Sequence, residues 1–236
     1  MASINSILGL TEIEEGGLSR ATTDTASKNP SPYVYKGKTG WHTNRGVTYA
    51  TFKGLASRLG YKDTFENFIL MPDDIFLKIA KNGFWDVLNL DKMNSQALAN
   101  IFFSWQWGAG SGWKNRIVRY LNTKSIVWDK KDSKNFPNVI NKLVEKIGEK
   151  KAIDEIITQF SEFYKSLNQP VYIKGWLNRL GRLKEYSYTL IGETLKDVKE
   201  GAQTAVESVK KNPIKTTLIV LLIIGIILQQ INSNNK

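Results

Sequence analysis

The chain has 236 residues, a length that suits one domain with appendages and excludes a large multidomain enzyme. Its 33 Lys and Arg against 22 Asp and Glu give a net charge of +11, which favours anionic partners such as nucleic acid, lipid or cell wall. The absence of cysteine and the single histidine, His42, exclude disulfides, thiol catalysis and zinc sites built on several Cys or His ligands. We therefore expect chemistry based on carboxylates, with no metal and no cofactor.

The first predicted helix starts at Ser3 or Asn5 and ends at Glu15, before a pair of glycines. On a helical wheel Glu15 projects close to Ile4, and Glu14 lies at the edge of the same apolar stripe. Burial and the negative end of the helix dipole would both raise the pKa of a carboxyl group there. A carboxylic acid that keeps its proton near neutral pH is what a glycosidase needs. A solvated helix end is the alternative.

A long polar stretch, residues 19–46, follows this helix and is rich in Ser, Thr, Gly and Pro. We predict a loop or short hairpin there, long enough to suspect a function. Helical patterns then dominate, so the fold class should be mainly α. The predicted helices are 48–59, 73–88, 95–107 with Gly108 as the stop, 115–122, 137–149 and 152–167.

The C-terminal part has a different pattern. Apolar residues from Tyr188 to Val209 alternate by three and four, which indicates either a coiled-coil seam or a lone amphipathic helix. The 18 residues from Ile214 to Ile231 are largely apolar, and as a helix would span about 27 Å of a hydrocarbon core about 30 Å thick. We expect a single transmembrane helix, with a core or interfacial helix as the alternative. The N-terminus carries no secretory signal pattern.

Four separated stretches, in order, resemble glycoside hydrolase family 108, the lysozyme-like muramidases of phages and bacteria. They are "EEGG" ending at Gly17, "TGWHTNRGVT" at 39–48, "FLKIAKNGFWDVLNLDKMNSQALANIFFSWQWGAGSG" at 76–112 and "YIKGWLNRLGRL" at 172–183. The resemblance implies a lysozyme-like catalytic domain over 1–112 and a helical peptidoglycan-binding-like segment over 113–185. The remaining parts would be an amphipathic linker helix, 186–212, and a C-terminal transmembrane anchor, 213–236.

The resemblance implies that Glu15 is the catalytic acid and that Thr43 orients substrate or water. Asp24 is the candidate second carboxylate, although an Asp that stabilises a turn fits equally well. Trp41 and His42 are expected to line the cleft. Trp105 and Trp107 are candidates for stacking on sugar rings, with core packing as the alternative. In the "GWLNR" motif, the expected role of Trp176, Asn178 and Arg179 is to stabilise a loop.

The sequence departs from the family pattern at three positions. Lys38 and Trp41 stand where relatives have an acid and a glycine, and Ser104 stands where relatives often have an Asp. These departures leave the second carboxylate open and leave Glu15 unaffected.

The predicted function is therefore a peptidoglycan hydrolase of the lysozyme type, acting as an N-acetylmuramidase by general-acid catalysis. Expected partners are peptidoglycan, a lipid membrane, and a second copy or other virion proteins on the 188–209 helix; nucleic acid is not expected. The expected localisation is a single-pass membrane protein, in the internal membrane of a phage virion or the host inner membrane. The alternative is a non-catalytic, membrane-anchored wall-binding or virion structural protein that keeps the fold.

Overall fold

The computed structural model describes residues 1–192, and the side chains of residues 12–15 lie outside what it describes. In chain order the α-helices of this part are α1 Asn5–Glu15, α2 Tyr49–Ala56, α3 Asp73–Ala80, α4 Gln96–Ala109, α5 Lys114–Thr123, α6 Phe136–Ile147, α7 Glu149–Ser166 and α8 Pro170–Leu190. A two-residue strand pair, β1 Thr43–Asn44 and β2 Val47–Thr48, is antiparallel. The prediction of a mainly α fold is confirmed for these residues.

Shorter helical turns connect the α-helices. The 3-10 turns are Thr25–Lys28, Ser57–Leu59, Asp86–Leu88, Leu90–Lys92 and Ser133–Asn135, and the π-helices are Glu66–Leu70 and Lys81–Trp85. The predicted helix 73–88 is therefore α3 followed without a break by a π-helix and a 3-10 turn. The same holds for the predicted helix 48–59, which is α2 followed by a 3-10 turn.

Helix α4 forms the centre of the core. Every residue from Ala97 to Trp107 is buried, including the polar Asn100, Ser104 and Gln106. Ser95 caps its start, because its hydroxyl accepts a hydrogen bond from the Leu98 amide at 3.0 Å. Helices α1, α7 and α8 and the π-helix Lys81–Trp85 pack around it.

Residues Met1–Ile191 form one compact unit. The predicted boundary between a catalytic domain, 1–112, and a peptidoglycan-binding-like segment, 113–185, stays a prediction.

Helix α8 carries the "GWLNR" motif. Trp176, Asn178 and Arg179 lie in the middle of this 21-residue helix, and their predicted role in stabilising a loop stays a prediction. Tyr188 also belongs to α8, and its hydroxyl donates to a carboxylate oxygen of Asp154 on α7. Tyr188 therefore packs against α7, and the linker helix predicted over 186–212 stays a prediction.

The predicted single transmembrane helix is corrected. Within residues 1–192, no helix is both long and apolar enough to cross a membrane. The segment that motivated the prediction, 213–236, and nearly all of the 188–209 pattern lie outside the described residues. The fold class of residues 1–192 is accordingly mainly α, without the predicted membrane span. The localisation as a single-pass protein of a virion or host inner membrane depended on that helix and is wrong with it.

Candidate active site

The predicted catalytic acid, Glu15, lies at the C-terminal end of α1. Glu15 is the last residue of this helix, and Gly16 follows it with a φ of 69°, in the left-handed region that favours glycine. The glycine pair therefore ends α1 at the predicted residue and turns the chain away from the helix axis. Ser19 lies four residues after Glu15, so the two backbones are at most about 14 Å apart.

The backbone of Thr43 returns to this point. The Ser19 amide donates to the Thr43 carbonyl at 2.8 Å, and the His42 amide donates to the Ser19 carbonyl at 3.0 Å. Thr43 then opens β1, and the chain reverses through Arg45 and Gly46, both at positive φ. Positive φ at both central residues is typical of the two-residue turns that join antiparallel strands. The structure thus brings the loop threonine back to the residues that follow Glu15.

Contacts with the π-helix Glu66–Leu70 hold this hairpin in place. The side-chain amide of Asn44 donates to the carbonyls of Phe68 at 2.7 Å and Ile69 at 3.0 Å. Carbonyls at the end of a helix have no partner within it, so Asn44 supplies the missing donor. Arg45 donates in the same way to the Met71 carbonyl at 3.1 Å. Sequence reasoning missed both roles, because these partners lie more than 20 residues away along the chain.

His42 is fully buried and pairs at both ring nitrogens. Its Nδ1 lies 2.9 Å from the Thr43 hydroxyl, and its Nε2 lies 3.1 Å from the Ala21 carbonyl. The same carbonyl accepts the backbone amide of Asp24 at 3.1 Å. A continuous chain of hydrogen bonds therefore joins Asp24, Ala21, His42 and Thr43. His42 therefore lies beneath the surface of the site. The sequence analysis instead placed it on the wall of the cleft.

Asp24 is exposed and starts the 3-10 turn Thr25–Lys28. One of its carboxylate oxygens accepts the Ala26 amide at 2.9 Å, the capping role that an Asp at a turn often has. The structure places Asp24 on the same loop as Ala21, and its catalytic role stays a prediction.

Trp41 is half-buried beside His42. Its indole N–H donates to the Lys38 carbonyl at 2.9 Å, and the Arg20 guanidinium lies 5.8 Å from the ring centre. Tyr35 packs edge-on against the same indole. The predicted contact of Trp41 with substrate stays a prediction.

Two tyrosines and an acid anchor the loop that carries Trp41. Tyr33 and Tyr49 donate to the two carboxylate oxygens of Asp63 at 2.9 and 2.6 Å. Burial, and then the hydrogen bond to this carboxylate, raises the pKa of Tyr33 to about 12 and raises that of Tyr49 further. Both hydroxyls therefore stay protonated donors across the physiological pH range, and the loop remains tied to residues 61–68.

The two tryptophans predicted to stack on sugar lie in the core. Trp105 is fully buried and stacks on Phe160 at 4.4 Å and on Trp113 at 5.3 Å between ring centres. Trp107 is 8% exposed and packs against Phe84 at 4.5 Å. Other aromatic rings cover the faces of both indoles. Their position fits the core-packing alternative.

Comparison with protein families decides the class of this site. Residues 9–110 match the family model described as glycosyl hydrolase 108. This part of the chain is similar to glycoside hydrolase domains. The predicted family resemblance and the predicted enzyme class are confirmed, and the match supports a peptidoglycan hydrolase.

The glycosyl hydrolase 108 match contains Glu15, Asp24 and Thr43, whose individual roles stay predictions. Among solved structures, one from Brucella abortus, of SagA, is similar with a TM-score of 0.57 and 18% identity. The similarity covers 80% of this chain and 96% of that chain, and at this identity it concerns the fold alone. No curated protein matches the chain.

The departure from the family pattern at Ser104 lies on α4. Ser104 is buried on α4 and lines a small cavity with Thr11 on α1 and with Arg179 and Leu183 on α8. This cavity is part of the packing between the three helices. Arg179 of the "GWLNR" motif therefore meets the glycosidase domain at the position where relatives often carry an Asp.

Proposed function

We propose that the chain is an N-acetylmuramidase, which hydrolyses the bond between N-acetylmuramic acid and N-acetylglucosamine in peptidoglycan. The observation that carries the proposal is the 2.8 Å hydrogen bond from the Ser19 amide to the Thr43 carbonyl, inside the segment that matches the glycosidase family. It brings Thr43 to the turn that directly follows Glu15. The net charge of +11 also suits an anionic wall polymer.

In this proposal Glu15 is the general acid. It gives its proton to the bridging oxygen, the bond from that oxygen to the sugar carbon breaks, and positive charge develops on the ring. Water then adds to the same carbon and loses one proton, and reprotonation of Glu15 restores the acid. Thr43 orients the water. The position of Glu15 at the last turn of α1 supports this role, because the negative end of the helix dipole raises the pKa of a carboxyl group there.

Asp24 is the second carboxylate of the proposal. The separation between the two carboxyl groups decides whether configuration at the sugar carbon is retained or inverted. Its exposed position allows contact with water, but its bond to the Ala26 amide already engages one oxygen. An Asp24→Asn variant therefore separates the two roles: a turn Asp changes stability, whereas a catalytic Asp changes kcat.

Two neighbouring glutamates give a matched test of the acid. We compare Glu15→Gln with Glu14→Gln in the full chain, because the two changes replace the same carboxyl group by an amide at adjacent positions of α1. Release of reducing ends from purified peptidoglycan is the assay. Loss of the general acid should lower the rate by at least about 100-fold in Glu15→Gln, whereas Glu14→Gln should stay close to wild type.

A Glu15→Gln protein as active as wild type would refute the assignment, and selective loss in Glu14→Gln would move it to the neighbouring residue. Sedimentation with insoluble peptidoglycan is the control for binding. If wild type and both variants sediment equally and none releases reducing ends, the chain is a non-catalytic wall-binding protein.

A further inference from the structure

The buried imidazole of His42 has neutral polar partners on both sides. The Ala21 carbonyl faces Nε2 at 3.1 Å, and the Thr43 hydroxyl faces Nδ1 at 2.9 Å. A carbonyl oxygen can only accept a hydrogen bond, so Nε2 must carry the ring proton. In the neutral imidazole Nδ1 is then an acceptor, and the Thr43 hydroxyl is its donor.

This arrangement fixes the direction of the Thr43 hydroxyl. Its single proton points at His42, so only the lone pairs of the oxygen are directed away from the imidazole. A hydroxyl held in this way accepts hydrogen bonds and cannot donate one to a ligand. The hydroxyl of a threonine without such a partner would rotate freely, so it could act as a hydrogen-bond donor or as an acceptor.

The side chain of His42 is not needed to hold the strand. Its backbone amide already pairs with the Ser19 carbonyl at 3.0 Å, and its backbone carbonyl already accepts the Tyr49 amide at 2.8 Å. The Ala21 carbonyl has the Asp24 amide as a second donor. An apolar side chain would fill the same buried space without the need for two hydrogen bonds. The imidazole therefore has a role beyond packing.

We propose that His42 is a positioning residue that makes Thr43 an obligatory hydrogen-bond acceptor for the attacking water. This inference rests on the proposed function. Thr43 accepts one hydrogen of the water and thereby turns an oxygen lone pair of the water toward the sugar carbon. The hydroxyl orients the water and does not remove its proton.

The tautomer can be measured without any assay of activity. His42 is the only histidine in the chain, so a ¹⁵N-histidine-labelled sample of the full protein contains one imidazole. We expect NMR to show a protonated Nε2 and an unprotonated, hydrogen-bonded Nδ1. Thr43→Val should shift the Nδ1 resonance, whereas Thr39→Val, at an exposed position of the same loop, should not. A protonated Nδ1, or an Nδ1 signal indifferent to Thr43→Val, would overturn the proposal.

Two substitutions of His42 separate positioning from structure. Asparagine places an amide oxygen near the position of Nδ1, whereas glutamine places an amide nitrogen near the position of Nε2. His42→Asn keeps an acceptor for Thr43, and His42→Gln keeps the bond to Ala21. Since a misplaced reacting group costs up to about 100-fold, we expect His42→Gln to lower kcat by about 10-fold to 100-fold with little change in KM. His42→Asn should stay within about threefold of wild type.

The double variant with Thr43→Val completes the test. If His42 acts through the hydroxyl, His42→Gln lowers kcat no further once Thr43 is valine. Equal losses in both backgrounds, or a larger loss in His42→Asn than in His42→Gln, would refute the positioning role. Activity that survives Glu15→Gln would instead refute Glu15 as the general acid of the proposed function, and the NMR result would still decide the tautomer.

Discussion

Replacing Asn44 by alanine should destabilise the protein by about 2 to 6 kcal/mol, because two helix-end carbonyls lose their donor. The amide of Asn44 lies 2.7 Å from the Phe68 carbonyl and 3.0 Å from the Ile69 carbonyl, and Asn44 is 5% exposed. Pro72 follows shortly in the chain and has no amide proton to offer in place of Asn44.

The predicted range for Asn44→Ala depends on whether water replaces the two lost hydrogen bonds. Each hydrogen bond contributes about 1 kcal/mol net, so the lower limit applies if water reaches both carbonyls of the π-helix. A buried carbonyl that stays unpaired costs up to about 3 kcal/mol, so the upper limit applies if the site stays dry. Either value is a large part of the stability of an ordinary domain, which is about 5 to 15 kcal/mol.

Urea unfolding, followed by tryptophan fluorescence, measures the difference. Asn138→Ala is the control, because Asn138 is exposed on α6 and its loss should change stability by no more than about 0.5 kcal/mol. Since Asn44 adjoins Thr43, Asn44→Ala should also lower the initial rate of peptidoglycan cleavage. A change in the free energy of unfolding as small as that of the control would contradict the role of Asn44 at the helix end.

Three further changes test the packing and electrostatics around the site. Asn100→Leu should cost about 1 to 3 kcal/mol in urea unfolding, because buried Asn100 donates to the Ser6 hydroxyl at 3.0 Å and so holds α1 against α4. Glu155→Gln should destabilise at pH 7, since the Lys124 ammonium at 2.6 Å holds the pKa of Glu155 below its ordinary 4.5. A lowered carboxyl pKa stabilises the fold above the ordinary value, so the difference in melting temperature between wild type and Glu155→Gln should shrink below about pH 4.5 and not above it. Trp105→Phe should lower the melting temperature and leave KM for peptidoglycan unchanged, and a raised KM would indicate a sugar contact.

Local signals in the sequence predicted the end of α1 and the start of α4. The glycine pair after Glu15 ends α1, and the cap at Ser95 starts α4. Both signals act within one helical turn, so the two helix ends can be predicted from neighbouring residues. The predicted stop at Gly108 was wrong, because α4 continues to Ala109 and ends before Gly110, which has a φ of 55°. Gly108 instead allows close approach, since a Cβ there would lie 3.3 Å from the Tyr164 hydroxyl.

Contacts between residues that are far apart in the chain could not be predicted from the sequence. The pairing of Nε2 of His42 with the Ala21 carbonyl spans 21 residues, and the capping of the π-helix by Asn44 spans 24 and 25 residues. Neither follows from periodicity. The burial of Trp105 was easier to predict, because most residues of the segment "ALANIFFSWQW" are apolar and such a helix is typical of a core. The glycines at 175 and 181 interrupt the helical pattern of α8, which explains why that helix was not predicted.

The chemical nature of the new glycan ends tests the central claim most directly. Purified peptidoglycan is digested with the full chain, reduced with borohydride and analysed by mass spectrometry. Hydrolysis by a muramidase predicts N-acetylmuramitol at the reduced ends, with one water added for each bond cleaved. Reduced ends that carry N-acetylglucosaminitol, or anhydro-muramic acid formed without added water, would contradict the account.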